Sequence, residues 1–228
     1  MITFHVITLF PESLESYLDA SIVKRARKEK LIAIRYYNPR DFVVARRGKK
    51  PTYADRRVDN RPYGGGPGMV IEALPVVKAI EKAVGKKLKN AAGRKKTKTI
   101  FFSPVGKQMT NLTADSLKRF TDIVLICGRY EGIDARVKKI FPMIDISVGP
   151  YTLTGGELPA MILIDAITRR LPGALGHDSS IEESRVASPD VYTRPESFKY
   201  KGKGYRVPGI LLTGHHKKID EWKSKRKK

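Results

Sequence analysis

The residues best placed to do chemistry lie in glycine-rich turns. Four such turns occur, PYGGGPGM at 62–69, SPVG at 103–106, GRYEGID at 128–134 and VGPYTLTGGELPA at 148–160. The last three follow predicted strands that end at Phe102, Cys127 and Ser147. Ligands of open α/β sheets bind outside the carboxyl ends of the strands, so these loops would converge on one edge and offer backbone groups to a ligand. One glycine turn indicates only a permissive backbone, but three at successive strand ends favour a ligand site.

Other signatures of nucleotide binding and catalysis are missing from the sequence. It contains no G-x-x-x-x-G-K-[ST], and no G-x-G-x-x-G follows the first strand. The single cysteine, Cys127, has no partner for a zinc site, and the four histidines lack metal-binding spacing. There is no nucleophile-elbow motif either. We therefore assign no metal-ligating residue and no nucleophile.

The elements that must position these loops follow from the apolar pattern. It predicts strands at 2–9, 31–37, 99–102, 123–127 and 143–147, and helices at 11–28, 73–84, 113–119 and 158–167. This alternation predicts an α/β domain with a parallel sheet. Residues 86–98 show no apolar period, which is typical of a solvated face or loop. The pattern is lost for about 35 residues after Pro172 and Gly173 and returns only at 209–222.

We therefore divide the chain into a domain at 1–175, a flexible acidic linker at 176–190 and a small, basic, mostly helical domain at 191–228.

Positive charge dominates the whole chain. The 228 residues include 45 Lys and Arg against 23 Asp and Glu, a formal net charge of +22. Such a charge favours a nucleic-acid partner and salt-dependent binding, although membrane surfaces and acidic proteins are also polyanions. The longest apolar run, 123–127, is too short to span a bilayer, and we find no secretory signal. With one cysteine, we expect a cytoplasmic protein without a membrane partner.

The four turns are parts of a longer series of motifs. In chain order these are D-x-R-P-Y-G-G-G-P-G-M, S-P-x-G, G-R-Y-E-G-I-D, S-V-G-x-Y-x-L-x-G-G-E-L-P-A, R-x-x-P-G-x-L-G-H, Y-T-R-P and L-L-T-G-x-H. The series resembles the bacterial tRNA (guanine-N1)-methyltransferase family of the SPOUT superfamily, from Ile7 to about Trp222. The resemblance implies an α/β fold with a deep trefoil knot at the cofactor site and an obligate homodimer. It also implies methyl transfer from S-adenosylmethionine to N1 of the guanosine at position 37 of tRNA, with Mg²⁺ as a candidate cofactor.

The resemblance further implies which residues form the sites. Cofactor-binding positions are Ser103, Pro104, Gly128, Glu131, Val148, Gly149, Pro150, Tyr151, Thr152, Leu153, Gly155 and Gly156. Substrate-binding positions near the target base are Asp59, Arg61, Tyr63 and Gly64. In the family these cofactor loops hold adenine and ribose through backbone groups, which explains glycines without a charged fingerprint. Phosphate contacts are expected from Arg46, Arg47, Lys49, Lys50 and the lysine-rich stretches 86–98 and 217–228.

The reaction sets its own requirements. N1 of neutral guanine carries a proton, so a general base must remove it while a donor stabilises charge on O6. Arg169 matches the family's arginine for O6. The family's base is an aspartate, and the motif I-E-E-S-R at 181–185 places Glu183 there, one methylene longer. Asp178 and Glu182 are the fallback bases.

Two other interpretations stay open. One is a non-catalytic RNA-binding protein, such as a ribosome-associated factor, which would not need strand-end glycine loops with an arginine and a carboxylate downstream. The other is a SPOUT methyltransferase acting at another RNA position; 2′-hydroxyl methylation would need no base for a ring N–H. Family members extend well beyond L-L-T-G-x-H as a helical tail. We therefore expect charge to supplement a smaller RNA-gripping surface, with a steep salt dependence of tRNA affinity.

Overall fold

The structure is a computed structural model that describes residues 1–43, 56–175 and 190–225. The chain divides into two compact units, Met1–Leu175 and Gly176–Lys228. The strands of the first unit are β1 (Ile2–Ile7), β2 (Ile32–Tyr37), β3 (Asp59–Asn60), β4 (Val70–Ile71), β5 (Thr97–Gln108), β6 (Asp122–Ile126) and β7 (Ile144–Ser147). Its helices are α1 (Glu12–Leu18), α2 (Ser21–Lys28), α3 (Ala73–Leu88), α4 (Ala91–Lys96), α5 (Asn111–Leu117), α6 (Arg136–Ile140) and α7 (Glu157–Thr168), with a 3-10 helix at Pro39–Phe42.

Five strands form one sheet in the order β2-β1-β6-β5-β7, and every neighbouring pair is parallel. The predicted α/β fold with a parallel sheet is therefore confirmed. All residues of β1 and β6 are buried, because helices cover both faces of the sheet and leave no strand face for polar alternation. β3 and β4 form a separate antiparallel pair.

Two apolar cores flank the sheet. One contains Phe4 and Leu125 with buried residues of α1, α2, α5 and α7. The other contains Ile7 and Ile126 with buried residues of α3 and α6. Since alternate residues of β1 and β6 enter opposite cores, these two central strands fix the position of every helix around them.

The predicted single helix at 11–28 is wrong, because α1 and α2 are separate. The buried positions explain the break. Leu14 and Leu18 are four residues apart, but the next buried residue is Val23, five further on, so a single straight helix would not keep them on one face. Ala20 adopts an extended backbone between the two helices.

The stretch 86–98, expected to be a solvated face or loop, is helical for most of its length, and none of residues 86–96 is buried. α3 continues to Leu88, and α4 follows, capped by the Asn90 side chain, which accepts a hydrogen bond of 2.7 Å from Gly93 N. None of the α4 residues is buried, so the helix has no apolar face to announce it in the sequence.

A buried polar cluster lies on the α3 side of the sheet. Asp122 Oδ1 is 2.9 Å from His5 Nε2 and 2.6 Å from Lys87 Nζ, and Tyr37 Oη is 3.1 Å from His5 Nδ1. Burial lowers the pKa of His5, and the Asp122 carboxylate offsets this only in part. Burial alone would raise the pKa of Asp122, but hydrogen bonds from Lys87, His5 and Thr121 outweigh it and leave that pKa below its usual range.

The second unit contains a β-hairpin that the sequence analysis does not predict. β8 (Ser197–Tyr200) and β9 (Lys203–Arg206) pair in antiparallel register, and a 3-10 helix (Gly209–Leu212) and α8 (His216–Lys225) follow. The prediction of a mostly helical carboxy-terminal domain is corrected accordingly. Every residue of the hairpin strands is exposed, so no buried face produces an apolar alternation. The predicted linker, apart from residue 190, lies outside the described residues. Among the described residues, no helix is long and apolar enough to cross a membrane.

Candidate active site

A cavity of about 270 Å³ opens at the carboxyl ends of β6 and β7, beside residues 101–104 of β5. The predicted strand at 99–102 continues to Gln108, with a shift of its register against β7 after Phe102. The cavity walls come from residues 101–104 of β5, the loops after β6 and β7, and the first turn of α7. The lining residues are Phe101, Phe102, Ser103, Pro104, Gly128, Arg129, Tyr130, Glu131, Gly132, Ile146, Ser147, Val148, Tyr151, Thr152, Leu153, Thr154, Gly155, Gly156 and Pro159. The convergence of loops at this edge is what a parallel sheet imposes.

Ten of the twelve residues predicted to bind the cofactor line this cavity; Gly149 and Pro150 do not. Tyr151 explains the position of Gly149, because its ring folds back so that a Cβ on Gly149 would lie 2.2 Å from the ring atom Cε1. Sequence reasoning did not single out Phe101, Arg129 or Thr154, which also line the cavity. In the sequence, Phe101 lies near the end of the predicted strand at 99–102, and Arg129 and Thr154 lie inside the motifs already quoted.

Glycines let the loops approach one another at backbone distance. Gly156 donates a hydrogen bond of 3.0 Å to Gly128 O, and a Cβ on Gly156 would lie 2.6 Å from Cys127 Cα. A Cβ on Gly155 would lie 2.4 Å from Arg129 Nε. The loop after β7 is thus pressed against the loop after β6, in a space that no larger residue fits.

A buried carboxylate ties three elements together behind the cavity. Glu157, at the start of α7, accepts a hydrogen bond of 2.7 Å from Thr8 Oγ1, just after β1. Its other oxygen lies 3.0 Å from Arg129 Nε in the cavity wall. The Arg129 guanidinium also lies 4.6 Å from the centre of the Phe10 ring, a cation–π contact. Negative charge in the first turn of α7 is further stabilised by the helix dipole.

Cys127 lies at the base of this arrangement and is buried. Burial, with the Glu157 charge, raises its pKa well above the usual value for a thiol, and Arg129 offsets this only partly. The thiol therefore stays protonated at neutral pH and is not an activated nucleophile.

The predicted substrate loop is attached directly to the cavity wall. Glu131 N donates to Met69 O at 3.0 Å, and Ile71 N donates to Gly132 O at 3.0 Å. The Glu131 side chain lies so close to Gly68 that a Cβ there would be 2.6 Å from its Oε1, and Gly68 has a φ of +87° that favours glycine. The loop carrying the predicted substrate residues thus ends beside Glu131, one of the residues predicted to bind the cofactor.

The four predicted substrate residues themselves lie outside the cavity lining. Asp59 is in β3, where Arg57 Nη2 lies 3.3 Å from its carboxylate. Arg61 and Gly64 are exposed, and the Tyr63 side chain is fully exposed. They form an open rim on which a large substrate could rest.

The cavity residues fit S-adenosylmethionine. Phe101, Phe102 and Leu153 offer apolar surface to a flat base, and the glycine loops bring backbone polar groups to the walls. Glu131 supplies a carboxylate for a cationic group and pairs with no cation within the described residues. Pockets of this kind, apolar with a few placed polar groups, are typical of small-molecule sites.

The predicted catalytic residue Arg169 does not line this cavity. It is the carboxy-terminal cap of α7, whereas Pro159, in the first turn of that helix, lies in the cavity wall. Ten residues at about 1.5 Å each separate Arg169 from Pro159 by about 15 Å along the helix. Glu183 and the fallback bases Asp178 and Glu182 lie outside the described residues, as do Arg46, Arg47, Lys49 and Lys50. In the described ranges, no three His, Cys, Asp or Glu residues are grouped so that they could hold a metal ion.

Comparisons with known proteins agree on one family. The family described as tRNA (Guanine-1)-methyltransferase TrmD matches residues 2–228. A tRNA (guanine-N(1)-)-methyltransferase of Cupriavidus taiwanensis is 45% identical over 96% of this chain and 81% of its own length. One from Clostridioides difficile is 40% identical over 96% of this chain and 90% of its own.

The same family appears among solved structures. The crystal structure of the tRNA (m1G37) methyltransferase from Aquifex aeolicus is 35% identical, with a TM-score of 0.73 over 98% of this chain and 88% of that one. Fold, loop motifs and nearly full-length matches therefore coincide, and the chain belongs to the tRNA (guanine-N1)-methyltransferase family.

Proposed function

We propose that this chain methylates N1 of the guanosine at position 37 of tRNA, with S-adenosylmethionine as the methyl donor. The observation that carries the proposal is the cavity at the carboxyl ends of β6 and β7 beside β5, whose walls contain residues of three of the family motifs. The donor supplies a methyl group on a positively charged sulfur, which needs no nucleophilic residue of the protein. Ser103, Pro104, Gly128, Val148, Tyr151, Thr152, Leu153, Gly155 and Gly156 would hold the donor, with Glu131 near its cationic part.

Two residues carry the chemistry on the guanine. Glu183 acts as the general base that accepts the N1 proton, because an ionised carboxylate at the family's base position can take up that proton. Arg169 donates hydrogen bonds to O6, where negative charge develops as the proton leaves. Its guanidinium pairs with no carboxylate within the described residues, so its donors are available for that oxygen. Asp59, Arg61, Tyr63 and Gly64 hold the target nucleotide at the rim beside Glu131.

We also propose a homodimer, because one copy cannot complete this site. Arg169 lies about 15 Å along α7 from Pro159 in the cavity wall, which is beyond the reach of an arginine side chain. A second copy must therefore bring its Arg169 to the cavity. The exposed side of α7 supports such a contact, since Leu158 and Ile162 are 53% and 43% exposed on a helix whose other residues are buried or half-buried. Exposed apolar residues of this kind mark interaction surfaces.

The knot implied by the family is part of the same proposal. Support comes from the loop after β7, which meets the loop after β6 through the Gly156–Gly128 hydrogen bond and an Arg129–Gly155 bridge. The chain then enters α7, which packs on α1 and α5. A knot at the cofactor site would bring these two loops into such contact.

The remaining parts of the chain have proposed roles outside the cavity. The carboxy-terminal domain, 191–228, binds tRNA, and the segment 176–190 that carries Glu183 links it to the catalytic domain. We infer a cytoplasmic setting, because the proposed substrate is an intracellular RNA. Whether Mg²⁺ takes part is a separate arm of the assay below, in which the divalent ion is added or chelated.

The test is a methyl-transfer assay with S-adenosylmethionine and two tRNA transcripts that differ only in guanosine or adenosine at position 37. A methyl group on N1 blocks the Watson–Crick edge, so primer extension should stop at position 37 with the guanosine transcript alone. Glu183→Gln should lower the rate constant roughly 10²- to 10⁴-fold, the usual contribution of a general base. Glu182→Gln is the matched control and should leave the rate near that of the wild type.

Trans action of Arg169 is tested by mixing variants. Arg169→Ala should lower the rate constant roughly 10²- to 10³-fold, as for other donors to a developing oxyanion. Co-expression with a copy that cannot bind the donor should recover activity, because one mixed site is then intact. No recovery would contradict the shared site, and methylation of the adenosine transcript would contradict the proposed reaction.

A further inference from the structure

The two faces of the β8–β9 hairpin differ in chemistry. Cross-strand partners are Phe198 with Tyr205 and Tyr200 with Lys203, and these four residues lie on one face because side chains alternate along a strand. The other face carries Ser197, Lys199 and Arg206 together with Gly204. One face is therefore aromatic with a single lysine, and the other is small or cationic.

The aromatic face is open. Phe198 is 58% exposed, Tyr200 is 59% exposed and Tyr205 is 42% exposed. The Phe198 and Tyr205 rings stack on each other with their centres 5.4 Å apart and an interplanar angle of 16°, so the pair is held in a nearly parallel arrangement. Three neighbouring aromatic side chains left in water are unusual and mark a binding surface.

The surroundings of this face are cationic. Lys201 Nζ lies 5.6 Å from the centre of the Tyr200 ring, and Lys203 Nζ lies 5.7 Å from that of Tyr205. Glu196 is the only acid between residues 194 and 206, which also include Arg194, Lys199 and Arg206. Exposed aromatic rings with lysine ammonium groups beside them match a partner with flat bases and a negative backbone, which describes unpaired nucleic acid.

We propose that the aromatic face of the β8–β9 hairpin, formed by Phe198, Tyr200 and Tyr205, is a stacking platform for unpaired RNA bases. Lys201 and Lys203 would contact the adjoining phosphates. The platform extends the proposed function, on which the choice of RNA as partner rests. Phe198 and Tyr200 are two residues apart on β8, about 6.8 Å along the strand, so each ring can take its own base. A regular duplex keeps its bases stacked on one another and offers no free faces, so the platform selects single strands and loops.

The experiment compares the affinity of the full-length protein for two RNAs of equal length, a fluorescent 12-nucleotide oligoadenylate and a 12-base-pair duplex. Loss of one base stack weakens binding by roughly 5- to 150-fold. Phe198→Ala/Tyr200→Ala should therefore weaken oligoadenylate binding at least tenfold and duplex binding less than twofold, with an unchanged slope against salt. Tyr200→Phe keeps the ring and should bind like the wild type. Lys199→Ala, on the opposite face, is the matched control and should change the affinity for the two RNAs by the same factor.

Three outcomes would overturn the platform. They are equal weakening of both RNAs by the double variant, no weakening of either, and a change of oligomeric state in sedimentation that shows the face to be a contact between copies. Thermal unfolding confirms that each variant folds, and Tyr200→Ala alone replaces the double variant if that one does not. Methylation of the guanosine transcript is measured on the same samples. If the wild type methylates the transcript but the double variant binds oligoadenylate as tightly as the wild type, only the platform is overturned. If the double variant loses oligoadenylate binding but the wild type does not methylate the transcript, only the proposed reaction is overturned.

Discussion

Replacing Gly156 by alanine probes how the cavity is built. The φ of Gly156 is −83°, a conformation open to any residue, so the consequence is purely steric. The new Cβ would lie 2.6 Å from Cys127 Cα and 3.1 Å from Gly128 N. Carbon atoms pack at about 3.5–4.0 Å, so the two loops must separate by about 1 Å.

The cost follows from that displacement. Overpacking of this size destabilises by about 1–3 kcal/mol, which corresponds to a Tm lower by about 2–12 °C for a chain of this length. Both loops line the cavity, and a misplacement of about 1 Å in a binding site can cost roughly 10²-fold. We therefore expect Gly156→Ala to bind S-adenosylmethionine at least tenfold more weakly than the wild type, measured by isothermal titration calorimetry.

Gly85→Ala is the matched control. Gly85 lies inside α3, and its Cβ would be 3.5 Å from Glu81 Cβ, an ordinary contact. This change should raise stability by about 0.5–1 kcal/mol, because alanine is the better helix former, and leave donor affinity unchanged. Wild-type donor affinity together with an unchanged Tm in Gly156→Ala would refute the steric reasoning.

Three further predictions concern charge. Glu157→Gln leaves Arg129 without its carboxylate. We expect the free energy of unfolding in urea to fall by about 1.5–3 kcal/mol and donor binding to weaken. Wild-type values of both would show that the ion pair does not stabilise the site. In the unfolded chain His5 binds a proton at its usual pKa of about 6.5, whereas the folded protein, in which this pKa is lowered, does not bind it there. The free energy of unfolding should therefore fall as the pH drops from 7.5 to 5.5, by at most about 1.4 kcal/mol per pH unit. His5→Asn should make this free energy less dependent on pH. The logarithm of tRNA affinity should fall with the logarithm of salt more steeply than three phosphate contacts allow, a slope beyond about −2.7; a shallower slope contradicts the role of the net charge.

The sequence was sufficient to predict the sheet because its central strands are buried on both faces. β1 is apolar apart from Thr3 and His5, and β6 is apolar after Asp122, so both are recognisable as short buried strands. Two of the cavity loops were found because their motifs directly follow β6 and β7. The third motif, at 103–106, lies within β5, which continues beyond the predicted strand end at Phe102. Elements without a buried face, α4 and the β8–β9 hairpin, gave no periodic signal and were missed.

Contacts between distant parts of the chain were beyond prediction for a different reason. Thr8 and Glu157 are 149 residues apart in the chain, yet their side chains meet at 2.7 Å. Nothing in either local sequence encodes that meeting, which exists only because β1 and α7 share the same edge of the sheet.

The distribution of charge explains how one basic chain can bind two unlike partners. Among the residues that the structure describes, Arg129 and Glu131 are the only charged ones in the cavity lining, and Arg129 is already paired with Glu157. In a chain of net charge +22, the cavity is therefore left with an unpaired carboxylate. Such a site disfavours a polyanion and favours a cationic ligand, whereas the lysines of α3, α4 and the hairpin lie outside the cavity lining. Salt that releases tRNA should consequently leave donor binding nearly unchanged, and a parallel loss of both affinities would mean that the two partners share one electrostatic surface.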